Sequence, residues 1–275
     1  MGVTVTMLGT GSPIPDARRA GSATLVQAGS TQLLVDAGRG VLMRLVAAGV
    51  FPPMLGAVLL TPLHSDHITD LNDVITTHWV MSPATTTLHV YGPPRTKEVV
   101  DAILAMLAPD IAYRLAHHDD LTTGPSVEVH ELEGPCEFEI GDATIMVRPT
   151  DHRPVEPTVG YRVTHHGRSA VLAGDTVPCE SLDELCAGAH VYVQTVIRAD
   201  LVRLVPSVRL QDILDYHSSV EQAAETAARA GVRTLVCTHF VPALTPGQEQ
   251  AWSDLAAAHF DGEIVLAEDL TRVEC

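Results

Sequence analysis

Short runs of apolar and β-branched residues alternate with Gly, Ser and Pro along the first third of the chain, a pattern typical of a β-sheet. Helical periodicity follows, then a second strand-rich stretch, and the last third alternates strands with helices. This order favours two packed sheets with helices outside them. The predicted strands are 3–8, 23–27, 32–35, 57–60, 127–130, 143–148, 159–164, 169–172, 191–196 and 234–237. The predicted helices are 41–48, 67–80, 96–107, 219–230 and 248–258.

The chain shows no sign of an internal boundary. Pro and Gly are spread evenly, and neither a fixed-period repeat nor a low-complexity tract occurs, so we predict one domain over residues 1–275. The best candidate for a membrane span, 41–60, is interrupted by Arg44, Pro52 and Pro53. The first residues lack the basic and apolar regions of a signal peptide. These features predict a cytoplasmic protein without a membrane segment.

The charge balance is acidic, with 17 Lys plus Arg against 34 Asp plus Glu and a formal net charge of −17. That sign is unfavourable for coating a phosphate backbone, so a nucleic acid would need a local basic patch. The 14 histidines are a first indication of metal chemistry. The five cysteines are scattered and form no CxxC pair, which favours reduced thiols over disulfides or a thiolate zinc site.

The densest group of possible metal ligands comes directly after the predicted strand 57–60. His64, Asp66 and His67 fall there within four residues, at the start of a helical pattern. Irregular backbone at such a position can direct two imidazoles and a carboxylate toward one point. Taken alone, the group is equally well explained as a solvated turn with a capping aspartate.

Three further strand ends carry ligand-type residues. His152 follows strand 143–148, Asp175 follows 169–172, and His239 follows the strand that begins at residue 234. Histidine or aspartate at four separate strand ends is expected where one edge of a layered fold gathers ligands around a pair of metal ions. The joint pattern therefore favours a metal site.

The segments HSDH (64–67), TDH (150–152), AGDT (173–176) and THF (238–240) resemble, in this order, the metallo-β-lactamase superfamily. Within it, LGTGSP (8–13) and YHSS (216–219) are similar to segments of the ribonuclease Z and arylsulfatase-like group. The resemblance extends over residues 3–245. It implies an α+β fold, the four-layer αβ/βα sandwich of metallo-β-lactamases, with a metal site along one edge.

Carried over by position, the resemblance implies two metal ions that share Asp175 as a bridging ligand. The remaining ligands are His64 and His152 for the first ion and Asp66, His67 and His239 for the second. Zinc is the expected metal, as one or two ions, and manganese is an alternative.

The chain departs from the family pattern at Pro62, which stands where the family has a further histidine ligand and offers no donor side chain. This leaves open a weakened first site, a single ion in the second site, or a rebuilt site that uses water or another ligand. His78, His165 and His166 are conceivable substitutes, although each is more simply explained as an ordinary surface or core histidine.

The activity implied by the resemblance is hydrolysis of a phosphodiester, or of a related sulfate or carboxylic ester, by a metal-bound hydroxide. Asp66 would hold the attacking water, and His217 would protonate the leaving oxygen as the general acid. A helix that begins at Ser218 or Ser219 would fix the direction of His217. The alternative is a metal-depleted relative with a non-hydrolytic or binding role, for which Pro62 is the motivation.

The spacing of the motifs also bears on the substrate. Bacterial ribonuclease Z carries a tRNA-clamping arm between the matching histidine and aspartate, whereas only a short strand pair separates His152 from Asp175 here. Together with the acidic net charge, this predicts a small anionic ester in preference to tRNA. The arginines that could hold its phosphate or sulfate are Arg18, Arg19, Arg39, Arg153 and Arg162. A homodimer is expected, because dimers are the commonest assemblies and the resembling family dimerises.

Overall fold

Fourteen strands and nine α-helices make up the computed structural model, which describes residues 2–275. The strands are β1 (Val3–Gly9), β2 (Ala23–Ala28), β3 (Thr31–Val35), β4 (Ala57–Leu59), β5 (Thr87–Gly92), β6 (Ser126–Glu131), β7 (Cys136–Ile140), β8 (Ala143–Thr150), β9 (Thr158–His165), β10 (Arg168–Leu172), β11 (Val191–Ile197), β12 (Thr234–Val241), β13 (Glu263–Leu266) and β14 (Arg272–Glu274). The helices are α1 (Val41–Ala47), α2 (Ser65–Ile68), α3 (Leu71–Met81), α4 (Thr96–His117), α5 (Glu180–Cys186), α6 (Ala199–Val202), α7 (Val208–Gln211), α8 (Val220–Ala230) and α9 (Glu249–Ala257). Two 3₁₀ turns lie at Pro52–Met54 and Asp212–Asp215.

The strands form two mixed sheets of seven strands each. The first has the order β14-β1-β2-β3-β4-β5-β6, and the second has the order β13-β12-β11-β10-β9-β8-β7. In the second sheet β7 to β10 pair antiparallel and β10 to β13 pair parallel. Because β8 and β10 both run antiparallel to β9, the carboxyl ends of β8, β10 and β12 meet at one edge of the sheet.

Three apolar cores hold the layers together. The first lies between the inner faces of the two sheets and includes Val5 and Leu33 opposite Ile145 and Tyr161. The second lies between the second sheet and α5, α8 and α9, and the third between the first sheet and α1, α3 and α4. β11 is apolar except for Gln194 and Thr195, and it is buried at every position because both of its faces are covered. The four-layer αβ/βα sandwich expected from the sequence is confirmed.

Two of the predicted helices have a different extent in the structure, and α5, α6 and α7 were not predicted. The helix predicted to end before Pro109 continues to His117. Pro109 lacks the N–H that would bond to the carbonyl of Ala105, and both residues are exposed to solvent. The helix predicted over 67–80 is divided into α2 and α3. The backbone N–H of Asp70 leaves the helical pattern and donates to the carbonyl of Ala37 at 2.9 Å.

No helix within residues 2–275 combines the length and the apolar character needed to cross a membrane.

Candidate metal centre and active site

The candidate site lies where the carboxyl ends of β4, β8, β10 and β12 meet, and Asp175 is at its centre. Asp175 follows β10 after Gly174, whose φ of 66° is in the left-handed region. A Cβ on Gly174 would lie 2.5 Å from Oγ1 of Thr61, in the segment after β4. Glycine at this position therefore lets the two sheets approach each other at the site.

The HSDH segment begins α2, and it places Asp66 and His67 in the buried first turn. Asp36, at the end of β3, accepts hydrogen bonds from the backbone N–H and the hydroxyl of Thr61, both at 2.8 Å. The same carboxylate accepts a third bond from Nδ1 of His67 at 2.8 Å. Because Nδ1 of His67 holds a proton for Asp36, Nε2 is the atom that faces the site.

Two other histidines are oriented in the same way, by backbone carbonyls. Nδ1 of His152 donates to the carbonyl of Tyr216 at 2.8 Å, and Nδ1 of His217 donates to the carbonyl of Ile213 at 3.3 Å. The Nε2 atoms of His152 and His217 then lie 3.8 Å and 3.6 Å from Oδ2 of Asp175. His217 is thus held at the centre of the site, next to the candidate metal ligands.

His239 reaches the site from within a strand. The sequence placed it beyond the end of strand 234–237, but β12 continues to Val241. The pairing of β12 with β11 shifts register between Thr195 and Ile197, and His239 has a left-handed φ of 52°. Such a bulge turns a side chain away from the regular pleat. As a result, Nε2 of His239 lies 3.0 Å from Oδ2 of Asp66.

The six residues predicted as ligands form two adjoining clusters. His64, His152 and Asp175 offer donor atoms within 4.8 Å of one another, and so do Asp66, His67 and His239. Nδ1 of His64 lies 3.4 Å from Nε2 of His152, and Nε2 of His67 lies 3.2 Å from Oδ2 of Asp175. A third group joins Asp175 and His239 to His217. Their assignment as metal ligands stays a prediction.

The donor atoms fit a divalent metal of the zinc type. Nε2 of His67 and Oδ1 of Asp175 are buried and have no hydrogen-bond partner. A buried polar atom without a partner costs about 1–3 kcal/mol, so both atoms favour the binding of a cation at this site. Imidazole nitrogens and carboxylate oxygens in sets of three or four are the usual zinc ligands.

The electrostatics of the site favour bound cations. Burial alone raises the pKa of the Asp175 carboxyl, but the charges of His239 and His67 outweigh burial and hold this pKa well below its usual range. Burial lowers the pKa of His67, yet Asp175 and Asp36 outweigh it and keep that pKa well above its usual value. In His152 burial dominates, and it lowers the pKa to about 4. The ring of His152 is therefore neutral and ready to ligate, whereas His67 holds a proton that a metal displaces.

Pro62 is buried in the segment before His64. The cluster of His64 and His152 has three donors when Asp175 is included, whereas the cluster of Asp66, His67 and His239 has three without it. His78, His165 and His166 belong to none of the clusters formed by residues 2–275. They are therefore not substitutes for the missing histidine in this structure.

The five arginines proposed as an anion patch are only partly brought together. Arg18 and Arg19 line one cavity and Arg19 and Arg39 line a second, but Arg153 and Arg162 line neither. Arg162 donates to the carbonyls of Leu185 and Ala187, at the α5 side of the second sheet. Arg18 and Arg153 each pair with a neighbouring aspartate at 3.0 Å and 2.5 Å. The expectation of a common phosphate or sulfate site on these side chains is wrong.

A feature that the sequence did not reveal is a cavity of about 150 Å³ directly over Asp175. Its apolar wall is formed by Ile14 and by residues near α7, among them Leu210, Ile213 and Tyr216. Leu210 and Ile213 carry no motif, and with Tyr216 of the YHSS segment they reach the site through the folding of the segment between β11 and α8. Ile14 carries no motif either, and it reaches the cavity from the loop between β1 and β2.

Known proteins share both the sequence and the architecture. The family model described as "Beta-lactamase superfamily domain" matches residues 31–240. The protein named ribonuclease Z from Mycolicibacterium gilvum (strain PYR-GCK) is 58% identical over 274 residues, which cover 99% of this chain and 96% of that protein. The metallo-beta-lactamase fold protein YhfI from Bacillus subtilis has a TM-score of 0.78 at 24% identity, covering 100% of this chain and 99% of its own. Human tRNase Z, short form, has a TM-score of 0.72 at 22% identity, with 98% of each chain covered.

These relatives correct the predicted substrate. The preference for a small anionic ester over tRNA is wrong, because a relative 58% identical over almost the whole chain carries the name of a ribonuclease. The net charge of −17 is a sum over the whole surface and does not describe the field at the site. Only β9 and β10 separate His152 from Asp175, as expected, but a missing arm does not exclude RNA. The sulfate and carboxylic ester options and the metal-depleted binding protein find no support.

The matching family model, the ribonuclease Z relatives, the sandwich fold and the His/Asp clusters agree with one another. The chain therefore belongs to the beta-lactamase superfamily, as a metallo-hydrolase of its ribonuclease Z group.

Proposed function

We propose that this protein hydrolyses a phosphodiester bond of RNA, with precursor tRNA as its substrate. The observation that carries the proposal is the convergence of five ligand-type side chains and His217 on Asp175, in a chain 58% identical to a protein named ribonuclease Z. Clusters of histidine and aspartate can hold metal ions that activate water for ester hydrolysis. His217, which is outside the two ligand clusters, can transfer a proton beside them.

Zinc would be held by the two clusters, with His64 and His152 on one side of Asp175 and the other three ligands on the opposite side. When bound, zinc supplies Lewis-acid chemistry that activates water and stabilises negative charge on the attacked phosphoryl group. Pro62 leaves the first cluster with one protein donor fewer, so we expect weaker binding there than in the second cluster.

Asp66 is placed to orient the attacking water. Its carboxylate is buried, and it accepts a hydrogen bond from Nε2 of His239 at 3.0 Å. Burial raises the pKa of Asp66, but the bond from His239 and the charge of His67 outweigh burial and lower it below its usual value. An ionised carboxylate at this position can accept a hydrogen bond from water and hold its lone pair toward the substrate.

His217 is placed to protonate the leaving oxygen. Its Nδ1 is fixed by the carbonyl of Ile213, and the serine that follows at 219 caps α8 by accepting a bond from the N–H of Gln222 at 3.2 Å. The capping box fixes the backbone that carries the ring. Nε2 lies 3.6 Å from Oδ2 of Asp175, in a side chain that lines the cavity.

The cavity over Asp175 fits the chemistry of a nucleotide. Its floor consists of the charged and imidazole groups that would face a phosphate, and its wall is apolar. A ribose and a base can contact the wall formed by Ile14, Leu210 and Tyr216 while the phosphate faces the metal ligands.

The test is cleavage of a precursor tRNA that carries a 3′ extension, followed on denaturing gels with the zinc-loaded protein. Asp175→Asn should abolish cleavage and reduce bound zinc. His217→Ala should lower the rate by about 10²–10⁴-fold while the zinc content is kept. Asp183→Asn, which changes a surface aspartate paired with Arg229, is the matched control and should cleave at the parent rate. A folded, zinc-loaded parent protein that leaves precursor tRNA intact would overturn the proposal.

We also retain as predictions a single domain, a cytoplasmic location and a homodimer. Size-exclusion chromatography with light scattering tests the last of these, since a dimer should have twice the chain mass of 29.4 kDa.

A further inference from the structure

A separate group of ligand-type side chains lies at the far edge of the first sheet. β6 is the outermost strand of this sheet and pairs parallel with β5, with His89 opposite Glu128 and Tyr91 opposite His130. Residues two apart on a strand share a face, so these four side chains lie on one face of the two strands. The group His89, Glu128 and His130 shares no residue with the active-site clusters.

The three side chains are separated as the ligands of one ion would be. Nδ1 of His89 lies 3.1 Å from Nε2 of His130. The carboxylate of Glu128 lies 3.6 Å from the first of these nitrogens and 3.7 Å from the second. Four donors placed tetrahedrally at about 2.0–2.1 Å from zinc are about 3.3–3.4 Å apart, and the three measured separations bracket this value.

The three groups could hold a cation in place of the proton that the two rings share. Two ring nitrogens face each other, and in neutral rings only one of them can carry the shared proton. The carboxylate of Glu128 points toward both nitrogens, but it is too far from either to form a hydrogen bond. A cation between the three would be bound by the lone pairs of both nitrogens and by the carboxylate charge.

Aromatic stacking holds one of the ligands in place. The ring of Tyr91 stacks on His130 with centroids 4.2 Å apart, and Phe138 of β7 stacks on the other side of Tyr91 at 4.8 Å. The orientation of His130 is therefore fixed by a stack that extends to the second sheet. The side chains of His89, Glu128 and His130 remain 39%, 58% and 31% exposed, which leaves a path for an ion and an open position for water.

We propose that His89, Glu128 and His130 form a further zinc site, distinct from the two clusters of the active site, with three protein ligands and one position for water. Bound zinc would link β5 to the edge strand β6, so its role is to stabilise this edge of the sheet. The ligands lie on adjacent strands and need no backbone movement to bind. The proposal does not depend on the RNA substrate.

The test is a zinc titration of the full-length protein after treatment with a chelator, in competition with a chromophoric zinc indicator. The double variant His89→Ala/His130→Ala should bind one zinc ion fewer per chain than the parent. The matched control is His117→Ala/His118→Ala, which removes two exposed adjacent histidines at the end of α4 and should keep the parent count. An unchanged number of bound zinc ions in the first variant would overturn the proposal. The contact between His89 and His130 in the parent would then be a hydrogen bond only.

Glu128→Gln provides a second test that leaves both rings and the stack in place. It should weaken the proposed site at least tenfold, and the rise in melting temperature caused by zinc should be smaller than in the parent. Circular dichroism establishes that each variant is folded. The zinc-loaded double variant should retain the parent's hydrolytic rate; loss of two zinc ions, or of the rate, would refute the separation of the two sites.

Discussion

Asp36→Asn tests how the second cluster is held in position without removing any of its ligands. Asp36 accepts three hydrogen bonds, from the N–H and hydroxyl of Thr61 and from Nδ1 of His67, all at 2.8 Å. His67 and the Thr61 hydroxyl share Oδ2, whereas the Thr61 N–H bonds to Oδ1. An asparagine has one acceptor oxygen, so its NH₂ group must face either Nδ1 of His67 or the backbone N–H of Thr61. The first outcome favours the tautomer in which Nε2 of His67 carries the proton, and that tautomer cannot bind a metal through Nε2.

Loss of such an orienting partner lowers metal affinity by about 10–100-fold, which corresponds to about 1.4–2.7 kcal/mol of binding free energy. The assay is competition for zinc against a chromophoric chelator at pH 7.5, together with urea unfolding of the metal-free protein. We expect a 10–100-fold increase in the zinc dissociation constant of the tighter site. Unfolding should also become easier, because a buried hydrogen bond to a charged group contributes about 1.5–3 kcal/mol.

Asp142→Asn is the matched control for this experiment. Asp142 accepts hydrogen bonds from the N–H and the hydroxyl of Ser30 at 2.8 Å and 2.7 Å, in the same manner as Asp36 from Thr61, but it is at the surface and holds no candidate ligand side chain. This control should leave the zinc dissociation constant within about twofold of the parent value. The reasoning is refuted if Asp36→Asn binds zinc as tightly as the parent, or if both variants lose affinity equally.

Three further predictions concern proton release on zinc binding, the backbone at Gly174 and the buried hydroxyl of Tyr161. The pKa values of His67 and His239 are raised, so zinc must displace protons when it binds. Zinc affinity should therefore rise from pH 6 to pH 8, by up to about tenfold per pH unit for each proton released. The measurement is calorimetry in buffers of different ionisation enthalpy, and absence of proton release would contradict the prediction. Gly174→Ala should destabilise the fold by more than about 1–2 kcal/mol in urea unfolding, since a left-handed backbone and a steric clash combine there. Gly188→Ala has a similar φ of 62° in open space, and an equal loss would show that the clash contributes nothing. Tyr161→Phe should cost about 1–3 kcal/mol, because its buried hydroxyl donates to a buried carbonyl at 2.7 Å; an unchanged urea midpoint would refute that role.

The sequence was most informative where a ligand type coincides with the end of an apolar strand. His64, Asp66 and His67 directly follow β4, and Asp175 follows β10, so strand prediction alone placed them at one edge of the fold. The inner strands could be predicted because burial on both faces produces mostly apolar runs, as in β11, where the polar exceptions are Gln194 and Thr195. The layers followed from the order of these elements.

The sequence was less informative where a long-range contact overrides the local signal. The strands β5, β7, β13 and β14 were not predicted. In β7 the alternation of Cys136 and Phe138 with glutamates is short, and the apolar face of this strand packs against the core between the two sheets. The continuation of α4 past Pro109 could not be predicted, because the exposure of Pro109 and Ala105 to solvent is a property of the folded protein. The position of His239 inside β12 depends on a bulge against β11, which no local pattern specifies.

The orientation of the ligands has the same origin, and it explains why Asp36 is the best single position for perturbing the site. Three rings, those of His67, His152 and His217, each donate Nδ1–H to an oxygen supplied by another part of the chain. For His152 and His217 the oxygen is a backbone carbonyl, which no side-chain substitution removes. For His67 it is a carboxylate, so one atom of Asp36 can be exchanged while every ligand is kept. A change in zinc affinity in that variant then reports on the orientation of the ring, and it separates the presence of ligands from their arrangement as the cause of metal binding.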